Sequence, residues 1–108
     1  MIVEYKDKKI EKLCNDYKAM RKFFSSEVLA KKLMELMTNL RNVEHLKAFA
    51  VLPVLRKYRY HELVGDWKGI HSLSLDYSYR MTLTLEIIGE DDEVDTIRIL
   101  EVSNHYGD

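Results

Sequence analysis

Between Tyr58 and Arg80 the chain alternates short apolar and aromatic runs with turn residues, a pattern that commits its second half to an antiparallel sheet. Gly65-Asp66 and Lys68-Gly69 bracket a tight connection, because glycine reaches positive φ without strain. Ile70, Ser72 and Ser74 then alternate with His71, Leu73 and Leu75, the period of a strand with two distinct faces. Asp76-Tyr77-Ser78 predicts a second turn, and Tyr79-Arg80 opens the next strand. Strands are expected near Lys57–Leu63, Ile70–Asp76, Tyr79–Ile88 and Thr96–Ser103, with an acidic hairpin loop at Gly89–Glu93.

The first half reads differently. Met1–Tyr5 predicts a strand. Asp7 is placed to cap a helix that carries Ile10, Leu13, Cys14, Tyr17 and Met20 along one face. Ser25 or Ser26 caps a second helix, with Glu27 near its positive end and Leu29, Leu33, Leu36, Met37 and Leu40 as its apolar face. A short connection makes the two helices an antiparallel hairpin laid on the sheet. Arg41-Asn42 ends the second helix, and residues 43–51 hold a short third helix before Pro53. The expectation is a single α+β domain over residues 1–108: an N-terminal strand and helical hairpin packed on a mainly antiparallel sheet of four to five strands.

Composition narrows the function classes. The chain is 46% hydrophobic and 32% charged, as soluble globular proteins are. It has no apolar run of membrane-spanning length and no signal-peptide pattern, so no membrane role is expected and a cytoplasmic location is. A single cysteine excludes an internal disulfide and favours a reducing compartment. The net charge of −1 hides an asymmetry: through His61 there are fourteen Lys/Arg against seven Asp/Glu, and from Glu62 onward three against eleven. The basic half is suited to nucleic acid or to an acidic partner segment; its helical lysines are also what any solvated helix surface carries.

Several residue types resemble sites without forming one. Cys14, Met34, Met37 and Phe49 have spacings of core residues rather than of a ligand pocket, and Cys14 has no local base to make it a nucleophile. Cys14, His45, His61, His71 and His105 show no zinc spacing, so neither metal nor cofactor is expected. His45 reads as exposed, and His71 as partly buried beside Leu73 and Leu75. His61 and His105 each fall near the end of an expected strand.

The motif His61-x-Leu63-x-Gly65-Asp66-x-Lys68-Gly69, followed by a short strand and Tyr79-Arg80, resembles the core of the RelE/ParE toxin superfamily, closest to its HigB-type, or system killer, branch. Ile99 to Tyr106 resembles that branch's last strand, which commonly ends Asp-Tyr-His, and Glu4 to Leu13 its first strand and helix. The resemblance implies the toxin of a bacterial type II toxin–antitoxin pair, a ribosome-dependent mRNA endonuclease that inhibits translation. It implies partners: the ribosome with its mRNA, and a cognate antitoxin of the helix-turn-helix HigA type. It puts His61 and His105 in the active cleft as the proton-transfer pair, with Arg80 on the pentacovalent phosphorane. Lys57, Arg59 and Lys68 would position the RNA backbone, and Tyr79 and Tyr106 would stack a base or donate a proton.

Three features depart from the branch. Val64 stands where lysine typically follows His-Pro-Leu, Ser103-Asn104-His105 stands where Asp-Tyr-His is common, and Tyr106 lies one position beyond the histidine, where adjacent strand residues point to opposite faces. Three readings therefore stay open at this point: the mRNA endonuclease, a ParE-like topoisomerase poison on the same fold, and a catalytically degenerate binding module.

Overall fold

The computed structural model describes residues 1–67, 69–76 and 81–104. A five-stranded sheet has the order β1-β5-β4-β3-β2, with β1 at Ile2–Tyr5, β2 at His61–Glu62, β3 at Ile70–Ser74, β4 at Met81–Gly89 and β5 at Thr96–Asn104. Every pairing is antiparallel except β1 with β5, which run parallel with Ile2 opposite Thr96. The α+β architecture expected from the sequence is the one observed. Helices α1 (Lys8–Asn15), α2 (Tyr17–Phe24) and α3 (Glu27–Asn42) follow β1; a 3₁₀ turn (Leu46–Ala50) and α4 (Pro53–Arg56) lead into β2.

The expected first helix is two helices. Asp7 caps α1 through a 2.9 Å bond from the Ile10 amide, as its position predicts. The chain then opens at Asp16, which is extended (φ −124°, ψ 111°) and caps α2 by accepting from the Lys18 amide. A carboxylate one residue beyond a completed turn satisfies amides that a continuous helix would have bonded internally. Ser25 ends α2 in the left-handed region at φ 53°, and Ser26 caps α3 by accepting from Leu29.

The helices cover one sheet face. Leu33, Leu36, Met37 and Leu40 of α3 are buried against Leu73, Leu83, Leu85, Ile97 and Ile99 of the sheet, with Phe24, Leu46 and Phe49 closing the edges. Cys14 lies in this core, where burial pushes its thiol up to about 12, so it stays protonated and unreactive. Met34 does not join the core. It is 44% exposed, because it falls off the Leu33–Leu36–Leu40 stripe onto the flank of the helix.

His45 is also not a free surface histidine. Its Nδ1 lies 3.3 Å from Oδ1 of the buried Asp95, whose other oxygen accepts from the Leu46 amide at 2.8 Å. Asp95 belongs to no sequence motif. It joins the 3₁₀ turn to the start of β5, while its backbone bonds Glu44 and Ile2.

The expected strand over residues 57–63 shrinks to His61–Glu62. Tyr58 turns inward into the core, and Arg59 takes a left-handed conformation (φ 46°) with its amide bonded to the Arg56 carbonyl, which closes a turn where a strand would have run. Such a backbone costs a non-glycine residue about 1–2 kcal/mol. The glycine turn after β2 forms as expected, with Gly65 at φ 70° and Gly69 at φ 91°. The second turn, Tyr77–Arg80, lies outside the described residues.

Candidate active site

The face of the sheet opposite the helices is built of hydroxyls. Cross-strand register puts His61 opposite Ser72, Ser72 opposite Thr84 and Thr84 opposite Glu101, so these four share one row on one face. The next row is Ser74, Thr82 and Ser103. A cleft of about 380 Å³ opens on this face. Thr82, Thr84 and Ser103 line it, Leu63 and Ile70 stand on the β2–β3 side, and Lys6, Leu100 and Glu101 on the β1–β5 side. β5 carries a bulge at this point, since Thr84 pairs with Glu101 but Leu85 with Ile99, leaving Leu100 extra.

His61 is exposed, and its Nδ1 is 3.0 Å from the carbonyl oxygen of Arg59. A carbonyl only accepts, so the ring's Nδ1–H donates and Nε2 is left as the basic nitrogen. The left-handed turn at Arg59 thus fixes the tautomer and direction of the imidazole beside it. Lys57 is engaged elsewhere: its Nζ lies 2.5 Å from Glu35 on α3 and 5.4 Å from the centroid of the Tyr58 ring. Arg59, exposed, flanks His61. Arg80, His105, Lys68, Tyr79 and Tyr106 lie outside the described residues. Arg80 and His105 are the chain neighbours of Met81 and Asn104, which are cross-strand partners at the end of the β4–β5 ladder.

A second histidine sits beneath this surface. His71 lies opposite Glu62 and is buried with its ring stacked on Tyr60 (centroids 5.5 Å apart, planes 6° from parallel), and Nδ1 is 2.8 Å from the Tyr60 hydroxyl. Burial lowers its pKa, with the Glu62 charge opposing, and burial likewise raises that of Tyr60. His71 is therefore a neutral structural group, as its place in the strand predicts.

A folded-state pKa below the free value of about 6.5 means that the unfolded chain takes up the proton first as pH falls. His71 then contributes stability that is fully present above about pH 6.5 and is lost as pH falls through its folded pKa. The urea midpoint should hold from pH 8 to 7 and decline below about 6.5, and His71→Phe should flatten that decline. Identical acid slopes for wild type and variant would assign the effect to another group.

No protein-family model and no curated protein matches the sequence. Solved structures do match. The YoeB/ParE toxin from Agrobacterium tumefaciens superposes with a TM-score of 0.61 over 98% of this chain and 100% of its own, at 16% identity. The RelE/ParE toxin fold is the fold of this chain. A single-residue mutant of YafQ from E. coli superposes with a TM-score of 0.53 at 23% identity, covering 95% of this chain and 91% of that one. A dimer of YoeB from Staphylococcus aureus gives 0.52 at 18% identity with 98% of each chain covered. None of the three carries the name of the HigB-type branch.

Within the RelE/ParE-like frame, the sequence places His61 in a strand, where the structure also has it, but gives no sign of the cleft beside it. Lys6 follows β1, whereas Glu101 and Ser103 are both in β5. Only the β1–β5 parallel pairing and the Leu100 bulge bring them together.

Proposed function

We propose that this chain is the toxin of a type II toxin–antitoxin pair and acts as a ribosome-dependent mRNA endonuclease. The observation that carries this reading is His61: a histidine with its tautomer set by a backbone carbonyl, held on the open, hydroxyl-lined face of a RelE/ParE-like sheet. The 2′-hydroxyl of one nucleotide attacks the adjacent phosphate, and the 5′-oxygen of the next leaves. The step needs a proton acceptor, a proton donor and positive charge on the phosphorane. His61 and His105 form the proton-transfer pair. Arg80 meets the phosphorane with a bidentate, permanently charged fork. Arg59, Lys57 and Lys68 position the backbone, Lys57 only by leaving Glu35, and Tyr79 and Tyr106 contact bases. This scheme uses no metal or cofactor. The test is single-turnover cleavage of programmed mRNA on ribosomes, with wild type set against the His61/Arg80/His105 triple alanine variant. Growth arrest without mRNA cleavage would transfer the reading to the ParE-like topoisomerase poison.

The cognate antitoxin, of the helix-turn-helix HigA type, would hold the toxin in check. A groove of about 580 Å³ between α1, α2 and β5 suits one of its segments. Ile10, Leu13, Ala19, Phe23 and Val102 form its apolar wall, and three lysines (Lys9, Lys12, Lys22) and one carboxylate (Glu101) line it as well. That combination matches an amphipathic segment with acidic residues on its polar side. Co-expression with the adjacent helix-turn-helix frame should yield a stable 1:1 unit and relieve growth inhibition. Charge reversal at Lys9, Lys12 and Lys22 should weaken the complex by at least tenfold, since each reversal sets like charges across the contact. Unchanged affinity would move the antitoxin elsewhere on the surface.

A further inference from the structure

We propose that Glu101 reads a guanine base in the cleft on the open face of the sheet, one or more nucleotides from the phosphate that is cut. The inference rests on the RNA-cleavage reading above. It assigns to β5 a task distinct from proton transfer.

The register supplies the distance. Glu101 ends the row His61–Ser72–Thr84–Glu101, three interstrand spacings from His61, or about 14 Å. A carboxylate so far away cannot share a proton with the reacting atoms that His61 touches. An ionised carboxylate also repels the phosphates on either side of a cut. Its complement in RNA is therefore a base edge that offers donors.

The cleft is built to receive such a base. Its volume of about 380 Å³ lies within the range of small-ligand sites. Leu63 and Ile70 supply an apolar side for the flat face of a ring, and Thr82 and Thr84 a hydroxyl floor. Ser103 carries the second, independent sign of a ligand. It is 7% exposed, borders the cleft, and among the described residues its Oγ has no hydrogen-bond partner. A buried hydroxyl without a partner is costly, and a ribose or base atom in the cleft would supply one. Lys6 gives the same side one cation for the nucleotide's own phosphate. Neither Lys6 nor Glu101 forms an ion pair among the described residues. Both line this cleft, and Glu101 also borders the groove between α1, α2 and β5.

Base chemistry selects guanine. A carboxylate accepts through two oxygens and donates nothing. Guanine offers N1–H and N2–H side by side, so both oxygens are matched. Adenine and cytosine each set an amino donor beside a ring acceptor, and uracil sets one N–H between two carbonyls. Each of those leaves a carboxylate oxygen against an acceptor.

The test has two arms. In the first, the full chain is titrated with guanosine and adenosine 5′-monophosphates and followed by amide chemical shifts. Guanosine monophosphate should shift Thr84, Glu101 and Ser103 and bind about 5- to 150-fold tighter, the range for one good bidentate pair. Glu101→Ala should abolish the preference, and Glu101→Gln should keep at most part of it, because one acceptor has become a donor. In the second arm, cut mRNA ends are mapped for wild type and Glu101→Ala. Guanine should be enriched at one fixed position from the cut in wild type and not in the variant, which still cuts. Equal affinity of wild type for the two nucleotides, or a preference that survives Glu101→Ala, overturns the proposal. The arms also separate the two readings. Glu101-dependent guanine binding without any cleavage keeps the base site and removes the endonuclease. Cleavage with an unchanged base profile in Glu101→Ala does the reverse.

Discussion

His61→Ala and His105→Ala should each slow single-turnover cleavage of ribosome-bound mRNA by about 10²–10⁴-fold, the usual worth of a positioned proton-transfer group. Arg80→Ala should cost at least as much, because it removes charge where the phosphorane needs it. Arg80→Lys should recover only part, since an ammonium cannot present two parallel N–H donors. The geometry around His61 adds a finer expectation. Its Nδ1–H is held by the Arg59 carbonyl, so only Nε2 is available for chemistry. His61→Gln, which keeps a polar group without a titratable nitrogen, should therefore be nearly as slow as alanine. Cys14→Ala, deep in the core and far from this face, should leave the rate nearly unchanged. Val64→Lys asks the opposite question. Val64 is 84% exposed, so lysine can replace it without a packing cost, and a gain in rate would show that phosphate contact is what limits this chain. Wild-type protein that cuts no faster than the His61/Arg80/His105 triple variant would remove the endonuclease reading.

The parts of the fold legible in the sequence are those whose signal is local. Alternation from Ile70 to Leu75 specifies β3 and sends His71, Leu73 and Leu75 to the helix-covered face, where they are buried. Asp7 and the 3-4 spacing of α3 mark helix starts and faces for the same reason. The break at Asp16 is hidden because the apolar stripe from Ile10 to Met20 continues across it in phase; its signal is an N-cap residue within the stripe. The Tyr58–Tyr60 segment misleads through its aromatic content. Those residues prefer strands, yet Tyr58 is spent on the core and Arg59 takes a left-handed turn that nothing in an arginine announces.

The site divides along the same line. His61 is visible as a histidine at a strand end. What directs its ring is a backbone carbonyl two residues away, which appears only once the turn is drawn. The cleft is less legible still, because Lys6, Thr84 and Glu101 meet through a parallel pairing across most of the chain and a one-residue bulge. Period-2 patterns give the face of a strand but not its neighbour.

The core prediction follows from how much of this small domain rests on α3. Leu33 and Leu36 are both fully shielded from solvent, in one core with the sheet leucines and with Cys14, Met20 and Phe24 of α1 and α2. Leu33→Ala or Leu36→Ala should cost about 2–5 kcal/mol each, transfer of the lost methyls plus the cavity left behind. That is a large share of the roughly 5–15 kcal/mol that holds a domain folded. The two residues stand three apart on one helix face, so the double variant should not be additive; the shared cavity couples them. Met34→Ala, on the same helix but on its exposed flank, should shift the urea midpoint little and serves as the internal reference. The α3 substitutions should lower the midpoint without changing its denaturant slope, since the surface exposed on unfolding stays nearly the same. Should Met34→Ala prove as costly as Leu33→Ala, the face of α3 that packs on the sheet would have to be reassigned, and with it the position of the open face that carries His61.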